Sequence, residues 1–185
     1  MNEPIRILGI SGSLRTGSFN SGLLRAAQKL LPEGMALEIA DISKIPIYNE
    51  DINSAGQPES VKKLKVQIHT ADGLIIATPE YNYSISGVLK NALDWVSRPP
   101  QEQIFSGKPL AIMGAGGRMG TTRAQHHLRQ IAVFLNMFPL NRPEVMIQQA
   151  RNKFDANGEL VDEASRQEIK DLMIAFKGWV ERLRS

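Results

Sequence analysis

The sequence predicts an α/β protein, a three-layer sandwich with helices on both faces of a five-stranded parallel sheet. Three observations carry this. Short apolar runs alternate with amphipathic helical patterns, in the order βαβαβαβαβα, along 185 residues. The apolar runs are nearly continuous, as expected of strands buried on both faces. Three of them end in loops dense in Gly, Ser, Asn or Tyr, and open parallel sheets bind ligands outside the carboxyl ends of their strands.

The elements follow in order. "IRILGIS", residues 5–11, is a strand running into Ser and Gly. Residues 19–31 carry Leu23, Leu24, Ala27, Leu30 and Leu31 at helical spacing, and "PEG" stops them. "MALEIAD", residues 35–41, alternates as a second strand. A long loop with Pro46 and Gly56 leads to a helix over 59–70. "ADGLIIATP", residues 71–79, is a third strand centred on Ile75 and Ile76. Residues 86–98 form a helix with Ser86 as N-cap. "KPLAIMGAGG", residues 108–117, is a fourth strand, followed by a helix over 122–138. "PEVMIQ", residues 143–148, is a short fifth strand, and residues 162–184 close the chain as an amphipathic helix. Trp95 and Trp179 lie on amphipathic helices and read as core or interface residues. The strand order 2-1-3-4-5 is one of the two common doubly wound solutions.

Bulk properties narrow the function. The length suits one domain over residues 1–185, large enough to bury about two thirds of its unfolded surface. The apolar fraction of 42% and charged fraction of 22% are those of an ordinary globular protein. There is no Cys, which excludes disulfides, thiolate catalysis and zinc–thiolate sites. The N-terminus has no signal-peptide pattern, and no apolar run reaches the roughly 18 residues of a membrane span, so a cytoplasmic location is expected. The net charge of +3 is mild and the basic residues form no block, so neither nucleic acid nor membrane is an expected partner.

In the order 2-1-3-4-5, strands one, three and four are neighbours, so their loops "SGSLRTGSFN", "TPEYNYSISG" and "GAGGRMGTT" converge on one rim. The first enters a helix N-terminus, where unpaired N–H groups and the helix dipole favour an anion. Ser11, Ser13, Ser18 and Asn20 add donors and Arg15 a charge. Capping explains one such residue but not their density. A phosphate is the natural guest. Gly12 and Gly17 have the spacing of a P-loop, but Ser18 stands where its Lys belongs. The fourth loop begins Gly114-x-Gly116 but has Met119 where a dinucleotide fingerprint needs its third Gly, and no acidic residue lies between Gly120 and Pro143. Its glycines are expected to let the backbone approach a flat ring. Two Tyr and an Asn in the third loop suit a planar heterocycle with hydrogen-bonding edges.

Together, "GISGSLRTGSFN", "ATPEYNYSISGVLKNALDW" and "GKPLAIMGAGG" resemble the NADPH-dependent FMN reductase family, in particular its bacterial chromate, quinone and azo-dye reductase branch. The resemblance covers residues 5–144 and implies a flavodoxin-like fold with non-covalent FMN. It implies that Ser11, Ser13, Arg15, Ser18 and Asn20 surround the phosphate, with Leu14, Thr16, Gly17 and Phe19 also among the cofactor-binding residues. Pro79, Glu80, Tyr81, Asn82 and Tyr83 would line the isoalloxazine, with Gly114, Ala115, Gly116 and Gly117 on its other side. It further implies ping-pong hydride transfer through flavin N5, from NADPH or NADH to quinones, chromate, azo dyes or free flavin. No side chain is then needed as a catalyst. This agrees with the absence of G-x-S-x-G and of metal-ligand companions for His69, His126 and His127. Arg15, Tyr83 and Arg118 are candidates to meet the substrates.

Members of the branch are dimers or tetramers, which makes Arg123, His126 and Glu144 interface candidates and a homodimer or homotetramer the expected assembly. His126 stands where the branch often has Tyr, and Ile85-Ser86 replaces an apolar-Pro step. The competing reading is a flavodoxin-type electron carrier without direct NAD(P)H turnover. The net basic charge argues against it, because such carriers are strongly acidic.

Overall fold

The period-two alternation of three strands divides the interior into two cores. In β1 (Ile5–Ser11), Ile5 and Ile7 face one side of the sheet and Leu8 and Ile10 the other. In β3 (Gly73–Ala77), Ile75 and Ala77 join the first side, and Leu74 and Ile76 the second. β4 (Pro109–Ala115) repeats the pattern, with Ala111, Met113 and Ala115 opposite Leu110 and Ile112. α1 (Phe19–Lys29) and α6 (Glu163–Arg184) cover the first side. α3 (Glu59–Thr70), α4 (Gly87–Val96) and α5 (Thr122–Phe134) cover the second. The computed structural model, which describes residues 3–184, is thus the expected three-layer sandwich.

β2 (Met35–Ala40) pairs with β1, β1 with β3 and β3 with β4, all parallel. The register sets Ile10 beside Ile76 and Ile76 beside Ile112, so the strand ends align on one rim. The fifth position differs from expectation. Two short strands share the far edge of β4: β5 (Phe138–Pro139) beside Pro109 and Leu110, and β6 (Val145–Ile147) beside residues 113–115. Between them the chain leaves the sheet, where Pro143 has no N–H to give a ladder.

Two further boundaries moved for local reasons. α5 ends at Phe134, not at 138, because Asn136 adopts a left-handed φ of 52°. Asn136 N–H then donates to Val133 and Met137 N–H to Ala132, a Schellman closure built on Asn instead of Gly. The expected loop after β2 contains α2 (Glu50–Ala55), capped by the Asn49 side chain, which accepts from Asp51 N–H at 2.8 Å. This loop is tied to α4, since Pro46 C=O accepts from Asn91 Nδ2 and Trp95 Nε1 at 2.8 Å each. Trp95 is fully buried, and Trp179 packs against the core and donates to Phe138 C=O at 2.9 Å.

After β6 the chain crosses the N-terminal half of α1 before entering α6. Phe154 packs on Phe19 with ring centroids 4.9 Å apart. A Cβ at Gly22 would come within 2.4 Å of Gly158 C=O, so α1 and this segment touch backbone to backbone. Glu159 accepts from Arg25 Nε at 2.5 Å and from Lys29 Nζ at 2.6 Å. Hydrogen bonds from Lys29 and Arg25 hold its carboxyl below the ordinary value of 4.5. A depressed folded pKa gives stability that is present above the ordinary value and lost as pH falls through the folded one. Glu159→Gln is therefore expected to lower the melting temperature at pH 7, and its gap from the wild type is expected to narrow as pH falls below about 4.5. A constant gap across an acid titration would contradict this.

Candidate functional site

At the carboxyl ends of β1, β3 and β4, the loops enclose a cavity of about 530 Å³, within the roughly 300–1,000 Å³ of cofactor pockets. Its walls come from four segments. The first is the loop after β1. Gly12 N–H continues the ladder to Ala77 C=O at 2.8 Å, and a Cβ there would strike Pro79 at 2.9 Å. Ser86 Oγ donates to Gly12 C=O at 2.5 Å while capping α4, which fixes this loop against the next. Ser18 caps α1 by accepting from Ser21 N–H. Ser13, Arg15, Ser18, Phe19 and Asn20 line the cavity. The backbone N–H groups of Leu14, Thr16 and Gly17 have no partner among the described residues.

Other residues of this loop lie elsewhere. Ser11 is turned to Ser21 Oγ at 2.9 Å and is not part of the wall, nor are Leu14, Thr16 and Gly17. Asn20 is 3% exposed and its amide is engaged: Nδ2 donates to Ala115 C=O at 3.0 Å, and Oδ1 accepts from Ala115 N–H at 2.9 Å. Asn20 thus pairs with the end of β4 as a neighbouring strand would, and clamps the first loop to the fourth.

The second wall is Pro79, Glu80 and Tyr81. Glu80 accepts from the N–H groups of Arg123 and Ala124 at 2.9 and 3.2 Å, so its carboxylate caps α5 and meets the positive end of the helix dipole. It also pairs with the Arg123 guanidinium at 3.2 Å. That guanidinium stacks over the Tyr83 ring at 3.9 Å. Asn82 and Tyr83 stand outside the wall in a tight turn with φ of 50° and 65°, and Tyr83 is 63% exposed. Arg123 is therefore held within its own chain by Glu80 and Tyr83. His126 and Glu144 are exposed.

The third wall is Ala115, Gly116, Gly117 and Arg118. Its glycines divide by role. A Cβ at Gly114 would lie 1.9 Å from Thr121 Oγ1 and 2.6 Å from Thr78 C=O, and one at Gly116 2.3 Å from Gly120 C=O. Both serve close packing within the protein, and Gly114 does not reach the cavity. Gly117 has open space on its Cβ side and is the glycine that leaves room for a ligand.

The fourth wall, Gln149 to Asn152, carries no motif and sequence reasoning missed it. It is zipped to the third: Gln149 N–H donates to Gly117 C=O and Ala150 N–H to Gly116 C=O, both at 2.9 Å. The available signal was positional, since this segment follows the last strand at the same carboxyl-end rim. No metal-binding group of His, Asp and Glu occurs among the described residues. The site thus combines hydroxyls and Arg15 from the first loop with tyrosine, proline and an open glycine from the others. This donor set fits a phosphorylated planar cofactor such as FMN.

Comparison with known proteins agrees with the geometry. Residues 5–152 match the family model of NADPH-dependent FMN reductase. The chain is 58% identical over 185 residues to an NAD(P)H-dependent FMN reductase of Pseudomonas aeruginosa, covering 100% of both. It is 44% identical over 186 residues to an NADPH:quinone oxidoreductase of Arabidopsis thaliana, covering 97% of this chain and 94% of the relative. Among solved structures, the flavoenzyme NAD(P)H:(acceptor) oxidoreductase of Paracoccus denitrificans superposes with a TM-score of 0.85 at 33% identity, over 96% of this chain and 97% of that one.

Proposed function

Because the chain belongs to the NADPH-dependent FMN reductase family, it is an NAD(P)H-dependent oxidoreductase that works with FMN, and we propose that its acceptors are quinones, reduced in a ping-pong cycle within one FMN-binding domain. The observation that supports this best is the four-walled cavity, with hydroxyls and Arg15 from the first loop and tyrosine, proline and an open glycine from the others. Ser13, Arg15 and Ser18 would hold the phosphate. Pro79 to Tyr81, with Gly116 and Gly117, would flank the ring. Bound there, FMN would supply the hydride-transfer chemistry between NAD(P)H and the acceptor.

The protein's own part is placement. Ser18 and Asn20 fix the first loop on α1 and β4, and Glu80 fixes the third loop on α5. The mouth stays open beside Gly117, so donor and acceptor can use the same face in turn. Such an opening also admits chromate, azo dyes or free flavin. No helix among the described residues is long and apolar enough to cross a membrane. A cytoplasmic location, where reduced nicotinamide is made and consumed, belongs to the same reading. So does assembly into a dimer or tetramer, with exposed His126 and Glu144 and partly exposed Arg123 at the contact.

The test is a spectrum of the purified protein after FMN addition and gel filtration, then anaerobic NADPH, then benzoquinone. Flavin absorbance that bleaches with NADPH and returns in full with benzoquinone is the expected result. Flavin that stays oxidised with both NADPH and NADH would restore the electron-carrier reading.

A further inference from the structure

The cavity wall holds more positive charge than the cofactor needs. Arg15, Arg118 and Arg151 all line it, and none forms an ion pair among the described residues. The one carboxylate in that wall, Glu80, is engaged by Arg123 and the α5 N-terminus. A phosphate monoester carries about −1.5 to −2 charges at neutral pH. Arg15 sits in the loop that would hold the FMN phosphate. That leaves two guanidiniums with no anion.

Both line the same cavity wall. Arg118 follows Gly117 and Arg151 follows Ala150, and the segments Gly116–Gly117 and Gln149–Ala150 are joined by two backbone hydrogen bonds at 2.9 Å. Both side chains are exposed and make no side-chain hydrogen bond. Arginine is the side chain suited to bidentate phosphate contacts, and two of them beside the open Gly117 form a rim that a second phosphorylated molecule meets as it enters.

We infer that Arg118 and Arg151 form a second anion subsite, distinct from the FMN phosphate loop, which binds a phosphate of the reduced nicotinamide donor. The inference rests on the proposed reading of the cavity as an FMN site. It assigns a role to Arg151, which lies in no motif. It also accounts for a donor site that lacks any dinucleotide fingerprint.

The test compares the wild-type holoprotein with Arg118→Ala/Arg151→Ala. Both side chains are exposed and unpaired, so the variant should fold, and its melting temperature checks that. KM for NADPH should rise about tenfold while kcat at saturating donor is retained. Calorimetric affinity of the oxidised holoprotein for adenosine 2′,5′-bisphosphate should fall by a similar factor. Added salt should raise KM for NADPH in the wild type and much less in the variant. If KM for NADH is unmoved, the subsite takes the 2′-phosphate; if it rises in parallel, the subsite takes the pyrophosphate. Either result supports the inference. Unchanged KM for both donors overturns it, and weakened FMN retention with unchanged donor KM overturns it by assigning the two arginines to FMN. A wild-type protein that neither retains FMN nor oxidises NADPH would instead overturn the cavity's reading, and the subsite with it.

Discussion

Gly114→Ala will destabilise the protein by about 3 kcal/mol or more and will impair flavin binding with it. The added Cβ would stand 1.9 Å from Thr121 Oγ1 and 2.6 Å from Thr78 C=O. Thr121 and Thr78 are both fully buried. Neither can move cheaply: Thr121 begins α5, and Thr78 N–H is bonded to Met113 C=O in the continuation of the β3–β4 ladder. The strain therefore reaches the third and fourth loops at once. For a chain of this length, 3 kcal/mol corresponds to a fall of roughly 6–12 °C in melting temperature. Gly117→Ala is the control, because its Cβ would meet nothing within 4 Å, and it should melt with the wild type. A Gly114→Ala protein with wild-type melting and FMN affinity would show that the loop is softer than this packing requires.

That contrast marks what could be read from residues alone. Placing three loaded loops on one rim needed only the order of the elements, and β1 and α3 appear with the boundaries their patterns predict. The roles within the loops were harder, because residues of one type do different work. Ser18 caps a helix and faces the cavity, whereas Ser11 bonds Ser21 and faces inward. Gly114 and Gly116 serve packing, whereas Gly117 opens the mouth. No periodicity separates such cases, since each depends on a partner far along the chain. α2 was illegible for another reason: it buries no residue and is held by its Asn49 cap and polar side-chain bonds, so it leaves no apolar stripe. The fourth wall was illegible because backbone pairing with Gly116 and Gly117 brings it in, and backbone N–H donors leave no signature in the residue types at 149 and 150.

Asn20 offers the sharpest test of role, because its residue type fits two. As a phosphate ligand it would matter only when FMN is bound. As a clamp between α1 and β4 it holds the empty protein together too. The structure engages both ends of its amide with Ala115, across 95 residues of chain and at 3% exposure. Asn20→Ala leaves a buried N–H and a buried C=O unpaired, a cost of about 2–4 kcal/mol. The clamp predicts that the melting temperature falls as far without FMN as with it. A ligand role predicts a loss only under saturating FMN, through weakened binding to the native state. Asn20→Asp separates the two further. A protonated carboxyl can replace the amide, donating to Ala115 C=O and accepting from its N–H. An ionised one sets an oxygen against that carbonyl in a buried site, which raises the folded pKa above the ordinary value of about 3.9. A raised folded pKa means stability present below the ordinary value and lost as pH rises through the folded one. The melting gap between Asn20→Asp and wild type should therefore widen from about pH 4 to pH 7 in the absence of FMN. A gap that does not change with pH, or that appears only with FMN, would return Asn20 to the phosphate and leave the joint between the first and fourth loops without its clamp.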